Sequence, residues 1–425
     1  MYSLNSGKIE KVKNEIIISN GNGKFHLLYT AEKINEEGLL EAFYTSAYPS
    51  EKSIKYLLYI NKLFNNVRLQ RWISRKTEGL KNVKIIRMNL SEIFYQLSNY
   101  VQGIINSKSL INILNYLTIN IYQIKANRFI NNSNAKIYHC RAGYGGKSIK
   151  TAQKKGMKVI IDHSAPYPLA YIQLINNQGR YNSEEKVKVP VLWKFVLKDI
   201  HNADCVLVNS DFVKKTMIDF GFPENKIKVI YLGIDKDVEK ILLNEINKNN
   251  SNTIKYLYAG SITKSKGVDN VIRAFTNLGE KNWTLTLAGN ISKDMRCIIK
   301  KIKDSRIKVL GGILRENLLR IMRYNDVLVF PSLAEGSARV VFEAMAAGMA
   351  IITTPQAGSV VENMKHGIII DPGNEEQLKE AINFFIDNPE KIKEFGENSR
   401  ITIKENYNST VYKKKVIELY NSILV

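Results

Sequence analysis

The sequence of 425 residues contains few cysteines and prolines and no long apolar run. Cys140, Cys205 and Cys297 are far apart and form no CxxC pair, which argues against a zinc cluster or a disulfide framework and fits a reducing cytoplasm. The longest uncharged run, Ser109–Ile124, is interrupted by four amide side chains and is too short and too polar to span a bilayer. The first fifteen residues lack the apolar segment of a signal peptide. We therefore expect a globular cytoplasmic protein.

Acidic residues are scarce in the first half of the chain. The formal net charge is +22, and residues 51–160 contain 20 lysines and arginines against three acidic residues. This asymmetry favours an anionic partner such as a membrane surface, lipid phosphate or nucleic acid. A helix predicted over residues 65–76, which carries Trp72 and four cations, would suit an anionic bilayer. The alternative is a lysine-rich composition whose charges only face solvent.

The chain does contain two successive series of alternating strand and helix signals, which predict an α/β protein with doubly wound parallel sheets. Apolar strands are expected at 15–19, 136–140, 158–162 and 205–209, and the run 256–260 restarts the pattern. The predicted division is a first domain over 1–235, a linker over 236–253, a second domain over 254–408, and a final helix over 409–425 that packs back on the first domain. The linker is inferred from its Lys, Asn and Glu content.

The second half is organised around residues 330–354, which read as a strand end, a loop, a helix and a strand. We expect a helix over 338–347 with Ser337 as its N-cap. A helix N-terminus attracts phosphate through unpaired N–H groups and its dipole, and Gly336 allows a ligand to approach the backbone closely. Glu335 and Glu343 bracket this helix start and suit the hydroxyls of a ribose or sugar. The stretch therefore predicts a nucleotide-sugar site.

An earlier strand–loop–helix turn supplies the cations that such a site needs. The strand over 256–260 ends at Gly260, and the loop that follows carries Ser261, Lys264 and Lys266 before Gly267. Lysine ammonium groups in this position pair well with the oxygens of a diphosphate. The alternative is a pair of solvated loop lysines.

The segment EGSARVVFEAMAAG, from Glu335 to Gly348, resembles the paired-glutamate signature of the retaining GT-B glycosyltransferases of group 1 (family 4). The resemblance implies two Rossmann-like domains that face each other across a cleft. It implies that Glu343 holds ribose hydroxyls, that Glu335 holds a hydroxyl of the donor sugar, and that Lys266 binds the leaving phosphate. It also implies that His163, on the loop after the strand 158–162, orients the sugar. Catalytic roles are thus expected for His163, Glu335 and Lys266.

The donor-binding set follows from the same resemblance. Ser261 stands where the family has an arginine, and Lys264 can substitute for that cation. Backbone at Ile313 is expected to meet the nucleotide base. The residues predicted to bind the donor are Gly260, Ser261, Lys264, Lys266, Ile313, Glu335, Gly336, Ser337, Ala338, Arg339 and Glu343.

The acceptor-side residues are expected on loops of the first domain. The glycine loop after the first strand contains Gly23 and Lys24, and the loop after the strand 136–140 contains Arg141 and Tyr144. Because ligands of doubly wound sheets gather at the carboxyl ends of the strands, these loops should line the crevice. Arg141 would suit an acidic acceptor, whereas the glycines of its loop could serve only a tight turn.

The predicted function is transfer of a hexose or N-acetylhexosamine from a nucleotide-diphosphate sugar, with a UDP-sugar favoured, to a glycan or lipid-linked acceptor. We expect no cofactor and no metal site, retention of anomeric configuration, and a role in envelope or exopolysaccharide assembly. The protein is expected in the cytoplasm, at the inner face of the membrane through its basic first half.

Three alternatives are kept. Another GT-B enzyme, such as an epimerase or a phosphorylase, would use the same fold, although a pyridoxal lysine for a phosphorylase cannot be located. A nucleic-acid-binding protein should show aromatic residues interleaved on a basic stripe, and no such pattern is found, so no nucleic-acid partner is expected. A binding module without catalytic activity would bind the donor and show no turnover.

Overall fold

A computed structural model describes residues 15–23, 25–50, 53–54, 58–59, 73, 75–105, 107–243, 253–279 and 281–424. Lys24 and most of the helix predicted over 65–76, Trp72 included, lie outside these residues. The chain divides into two compact units. The first comprises Met1–His163, Val189–Val206 and Ile417–Val425, and the second comprises Ser164–Lys188 and Leu207–Val416.

The predicted alternation of strands and helices is confirmed in the first half of the chain, which forms a seven-stranded sheet of order β3-β2-β1-β4-β5-β6-β7. The strands are β1 (Ile16–Ser19), β2 (Leu40–Thr45), β3 (Lys84–Arg87), β4 (Ile137–Arg141), β5 (Lys158–His163), β6 (Cys205–Val208) and β7 (Ile227–Val229). The helices are α1 (Leu27–Asn35), α2 (Asn89–Ile104), α3 (Lys108–Asn131), α4 (Lys147–Lys154), α5 (Pro168–Asn176), α6 (Val191–His201) and α7 (Asp211–Asp219).

A second parallel sheet has six strands in the order β10-β9-β8-β11-β12-β13. Its strands are β8 (Ile254–Ala259), β9 (Trp283–Ala288), β10 (Ile307–Gly311), β11 (Val327–Phe330), β12 (Ala350–Thr353) and β13 (Gly367–Ile369). The helices here are α8 (Lys236–Leu242), α9 (Val268–Thr276), α10 (Arg296–Lys300), α11 (Arg315–Met322), α12 (Arg339–Ala346), α13 (Glu375–Asp387), α14 (Pro389–Asn406) and α15 (Ser409–Leu424).

The strands read as continuous apolar runs because helices cover both faces of a parallel sheet. Every residue of β1, β11 and β12 is buried. The core of the second unit contains Trp283, whose ring meets that of Phe275 edge to face at a centroid distance of 5.0 Å, and Phe275 meets Tyr256 in the same way. Such large aromatic rings supply much of the buried apolar area.

The first part of the linker predicted over 236–253 forms the helix α8. Asp235 accepts a hydrogen bond from the Val238 N–H at 3.1 Å and so caps this helix. Val238 and Leu242, four residues apart, are both buried in the core of the second unit. A capping aspartate and an apolar pair on one helix face outweigh a polar composition. The division into units also differs from the predicted domains, since the second unit includes residues 164–188 and 207–235.

Gly267 joins the loop after β8 to α9 and fits only as glycine. Its φ of +69° lies in the left-handed region, and a Cβ atom there would lie 2.3 Å from the carbonyl oxygen of Pro331. The backbone following β8 therefore packs directly on the backbone following β11.

Gly267→Ala should lower the stability of the second unit much more than Gly279→Ala. Gly279 has a similar φ of +72° but open space around its Cβ position, so the alanine there costs only the left-handed conformation, about 1 kcal/mol. The clash at Gly267 should raise the loss to about 3 kcal/mol or more. Urea unfolding of both variants measures the difference, and equal losses would contradict the close packing.

Candidate functional site

The candidate site lies where the strand order of the second sheet reverses. The chain leaves β8 toward β9 and β10 on one side and returns to β11 on the other. β8 and β11 are parallel neighbours, with Tyr256 opposite Val327. Their carboxyl ends therefore release two loops side by side, which is where ligands bind in open α/β sheets.

A cavity of about 390 Å³ opens between these two loops. It brings together eight of the eleven residues predicted to bind the donor: Gly260, Ser261, Lys266, Glu335, Ser337, Ala338, Arg339 and Glu343. Lys264, Ile313 and Gly336 are not among the residues that line it. Sequence reasoning missed four lining residues, Ala259, Leu318, Phe330 and Val340, because apolar residues at strand ends and on helices carry no distinctive signal.

Lys266 and Glu335 form an ion pair inside this cavity. The Lys266 ammonium donates to Glu335 Oε1, and it lies 3.4 Å from the carbonyl oxygen of Ala334. Both side chains are about three-quarters buried. The pair places a compact cation beside a carboxylate, so a diphosphate entering the cavity would compete with Glu335 for the ammonium. Lys264, in contrast, is exposed.

The start of α12 differs from the prediction in one detail. Ala338, not Ser337, is the N-cap, and among the described residues no side chain caps the helix. The Ala338 N–H donates to the carbonyl oxygen of Ala357 at 2.9 Å. Because this bond holds Ala338 outside the helix, the helix begins one residue later than predicted, at Arg339. Without a side-chain cap, the first N–H groups of α12 remain available to an acceptor from outside the helix.

Gly336 supports this loop rather than lining the cavity. A Cβ atom at Gly336 would lie 1.8 Å from the carbonyl oxygen of Ser164, and its own carbonyl oxygen accepts a hydrogen bond from the Ser210 hydroxyl. Glycine is thus required by the backbone packed on it.

Arg315, beside the cavity, is a charged residue that sequence reasoning also missed. Glu343 is nearly buried, and its Oε1 accepts hydrogen bonds from Arg315 Nη2 at 2.6 Å and Nε at 3.1 Å. Arg315 Nη1 donates to Asp235 Oδ2 at 2.9 Å, and Arg339 Nη2 donates to the same oxygen at 2.8 Å. Arg339, predicted to bind the donor, is therefore paired with Asp235. No pattern in the sequence links Arg315 to Glu343, since the fold alone brings them together.

The charges of this network stabilise one another. Burial alone would raise the pKa of Asp235, but the charge of Arg315, a backbone hydrogen bond from Val238 and the charge of Arg339 hold it below its ordinary value. Burial would lower the pKa of Arg315, yet Glu343 and Asp235 raise it. Asp235 and Arg315 are thus both charged near neutral pH, and Arg315 binds one oxygen of Glu343.

The predicted acceptor-side residues gather at the corresponding point of the first sheet, where β1 and β4 are neighbours. The guanidinium of Arg141 lies 4.2 Å from the ring centroid of Phe25 and 5.5 Å from that of Tyr144. It also donates to the carbonyl oxygen of Asn22 at 2.9 Å, in the loop that contains Gly23. Arg141, Tyr144 and Gly23 therefore occupy one region of the first unit, and their contact with an acceptor stays a prediction.

His163 ends β5 and is buried. It belongs to the first unit, whereas the donor-side residues belong to the second, so its role beside the sugar stays a prediction. The preceding residue, Asp162, lies 2.8 Å from His26 Nε2 and 3.5 Å from His139 Nε2. Burial would raise the pKa of Asp162, but these two histidines hold it below its ordinary value.

In the part of the chain that the structure describes, no three or more His, Cys, Asp or Glu side chains cluster in a way that could hold a metal ion. Of the helices formed by the described residues, none is both long and apolar enough to cross a membrane.

Lys266→Ala should weaken UDP binding by about 10- to 100-fold, the range expected for a charged hydrogen bond. It removes the ammonium and leaves the Glu335 carboxylate to repel the diphosphate. Lys264→Ala is the matched control and should change the affinity by less than about threefold, since its side chain is exposed. Isothermal titration calorimetry measures both, and equal losses would contradict the assignment of Lys266.

Arg315→Ala should weaken binding of a UDP-sugar about tenfold, because Glu343 loses the group that orients it. Arg315→Lys should restore part of the affinity. Arg320→Ala removes an exposed arginine of the same helix, which pairs with the exposed Glu316, and should have no effect.

Glu343→Gln should weaken binding as well, and the double variant with Arg315→Ala should lose less than the sum of the two, as coupled residues do. Strict additivity in calorimetry would show that Arg315 and Glu343 act independently.

Comparison with known families finds a match in each half of the chain. Residues 103–238 match the family described as Glycosyltransferase Family 4, and residues 240–402 match Glycosyl transferases group 1. An uncharacterized glycosyltransferase of Methanocaldococcus jannaschii is 31% identical over 201 residues, which cover 47% of this chain and 54% of that protein. The capsular polysaccharide biosynthesis glycosyltransferase CapM of Staphylococcus aureus is 27% identical over 242 residues, or 52% of this chain and 62% of CapM. The chain thus spans little more than half the length of the curated relatives it matches.

Solved structures share the fold along nearly the whole chain. A glycosyltransferase from Rickettsia africae has a TM-score of 0.64 at 18% identity, covering 97% of this chain and 99% of that one. Anabaena HepE in complex with UDP has a TM-score of 0.61 at 15% identity, covering 96% and 100%. Since the two family matches lie on successive parallel-sheet halves and the fold is that of these enzymes, the protein belongs to the group 1 glycosyltransferases of the GT-B fold.

Proposed function

We propose that this chain transfers a hexose or N-acetylhexosamine from a nucleotide-diphosphate sugar to a glycan or lipid-linked acceptor, with retention of anomeric configuration. The observation that carries the proposal is the Lys266–Glu335 pair beside the uncapped start of α12, both at the point where the strand order reverses. A cation and free helix N–H groups bind diphosphate, and an adjacent carboxylate binds sugar hydroxyls.

The reaction breaks the bond between the anomeric carbon and the β-phosphate oxygen and forms a bond from that carbon to the acceptor oxygen. The electron pair of the broken bond stays with the diphosphate, and the proton of the acceptor hydroxyl passes to the leaving phosphate. Lys266 and the N–H groups at the start of α12 stabilise the negative charge that develops on the phosphate. Glu335 holds a hydroxyl of the sugar, and His163 orients the sugar beside the acceptor.

Glu343 holds the ribose hydroxyls through its second oxygen, since Arg315 occupies Oε1. Because Arg315 holds one oxygen of Glu343, the other oxygen is already oriented when the nucleotide binds, and the side chain does not have to change its rotamer.

UDP is the favoured nucleotide. Support comes from HepE, which shares the fold and has been crystallised with UDP and with UDP-glucose. We propose that no divalent cation or cofactor is needed, because Lys266 and the helix start supply the positive charge.

Envelope or exopolysaccharide assembly at the inner face of the membrane is the proposed pathway. Support comes from the similarity to CapM, a capsular polysaccharide biosynthesis enzyme by its name, and from the excess of cations in residues 51–160. A basic surface attracts the anionic headgroups among which lipid-linked acceptors reside.

A thermal-shift screen of UDP-, GDP- and ADP-sugars tests the donor, and UDP-sugars should raise the unfolding temperature most, as ligands that bind only the native state do. Incubation of the best donor with lipid-linked glycan acceptors, with and without EDTA, should release UDP at the same rate. Proton NMR of the product should show the anomeric configuration of the donor.

Each part of the proposal has its own contrary outcome. Conversion of the donor without an acceptor would indicate an epimerase, and tight binding without turnover on any acceptor would indicate a binding module. An unfolding temperature that no sugar nucleotide raises would contradict the proposed donor site. Loss of sugar transfer in the presence of EDTA would show that a metal ion is needed.

A further inference from the structure

The solvent face of α2 is apolar. Leu90, Ile93, Leu97, Tyr100 and Ile104 follow one another at alternating spacings of three and four residues, which places them on one stripe of the helix. Each is between 43% and 64% exposed. A helix on the surface of a soluble protein normally turns its apolar stripe toward the core and its polar side toward water. Here the stripe faces outward.

The apolar surface continues into the next helix. Residues 105–107 connect α2 to α3, and the two helices pack against each other as a hairpin. Ile105, Leu110, Ile113 and Tyr116 are also more than a third exposed. We call these nine side chains the apolar hairpin face. Single exposed apolar residues are ordinary, but a contiguous group of this size marks an interaction surface.

The charged residues around the apolar hairpin face indicate which kind of partner binds there. The only acidic residue of α2 and α3 is Glu92, which is buried and bound to Arg75 at 2.9 Å. The remaining charges of the hairpin are the cations Lys108, Lys125 and Arg128. Further exposed cations lie in β3, at Lys84 and Arg87, and Lys125 donates to the carbonyl oxygen of Arg87 at 2.8 Å. The charges that α2 and α3 carry outside the buried Glu92 are therefore all positive.

We propose that the apolar hairpin face docks on an anionic lipid surface. Its aliphatic side chains enter the boundary between headgroups and acyl chains, the two tyrosines lie at headgroup level, and the cations pair with lipid phosphates. A second copy of the chain is a poorer occupant, because two such faces would bring like charges together. The physiological reason, delivery of a lipid-linked acceptor, rests on the proposed function, but the docking itself does not.

Vesicle flotation tests the docking without any sugar nucleotide. The wild-type protein should float with phosphatidylcholine vesicles that contain phosphatidylglycerol and stay in the bottom fraction with pure phosphatidylcholine. Ile93→Gln combined with Ile104→Gln should reduce the partition coefficient at least about tenfold, because two aliphatic side chains that insert into the lipid are lost. Ile218→Gln combined with Ile401→Gln exchanges exposed isoleucines elsewhere and should float as the wild type does.

A fluorescent label on the apolar hairpin face distinguishes lipid binding from coverage by the chain itself. On a Cys297→Ser background, which removes the exposed cysteine, Tyr100→Cys carrying an environment-sensitive dye should shift to the blue only with anionic vesicles. Failure of this cysteine to react in the absence of vesicles would show that the chain itself covers the face. A concentration-dependent dimer in sedimentation, lost in the Ile93→Gln/Ile104→Gln variant, would identify a second copy. Either result, or no flotation, overturns the proposal.

UDP binding by the same flotation variants separates this proposal from the proposed function. Normal UDP affinity together with lost flotation would support a docking face distinct from the donor site. Flotation of a protein that binds no sugar nucleotide would leave the docking standing while removing the proposed function.

Discussion

The candidate donor site depends on the parallel pairing of β8 with β11. This pairing sets two loops that are some seventy residues apart in the sequence side by side, and it lets Lys266 reach Glu335. The backbone at Gly267 rests on that of Pro331 without an intervening side chain, so the two loops form one rigid wall. An ammonium held in this wall needs little reorganisation to meet a phosphate, which is the condition under which a fixed charge stabilises a transition state best.

The sequence could predict this much because the features involved are local. A glycine or lysine that follows an apolar strand lies at the carboxyl edge of a parallel sheet whatever the rest of the fold. Gly260, Lys266 and Glu335 are of this kind, and the alternation of strands and helices around them, together with the family resemblance, predicted that they share one site. Glu343 followed from its spacing along a helix that begins beside the same loop.

Other features depended on contacts between distant residues and could not be predicted. Arg315 meets Glu343 only because α11 and α12 are neighbours in the fold. The helix α8 forms within a polar segment because the core of the second unit accepts Val238 and Leu242. The stripe on α2 has the spacing of a core-facing helix, and only the tertiary structure shows that it faces solvent. Sequence periodicity identifies a helix face but does not say what covers it.

The interleaved order of the two units has a consequence for synthesis on the ribosome. Residues 164–188 leave the exit tunnel early, yet several of their partners come much later: Gly179 accepts a hydrogen bond from Gln356 at 2.9 Å and lies against Pro372, and Ser164 lies against Gly336. The contacts of this segment with Thr216 and Asp219 can form early, but those with residues 336–372 must wait while nearly two hundred further residues are translated. A polypeptide cut at residue 235 would keep the segment and lose its contacts with Gly336, Gln356 and Pro372, so a boundary at that point would divide the second unit rather than separate two complete units.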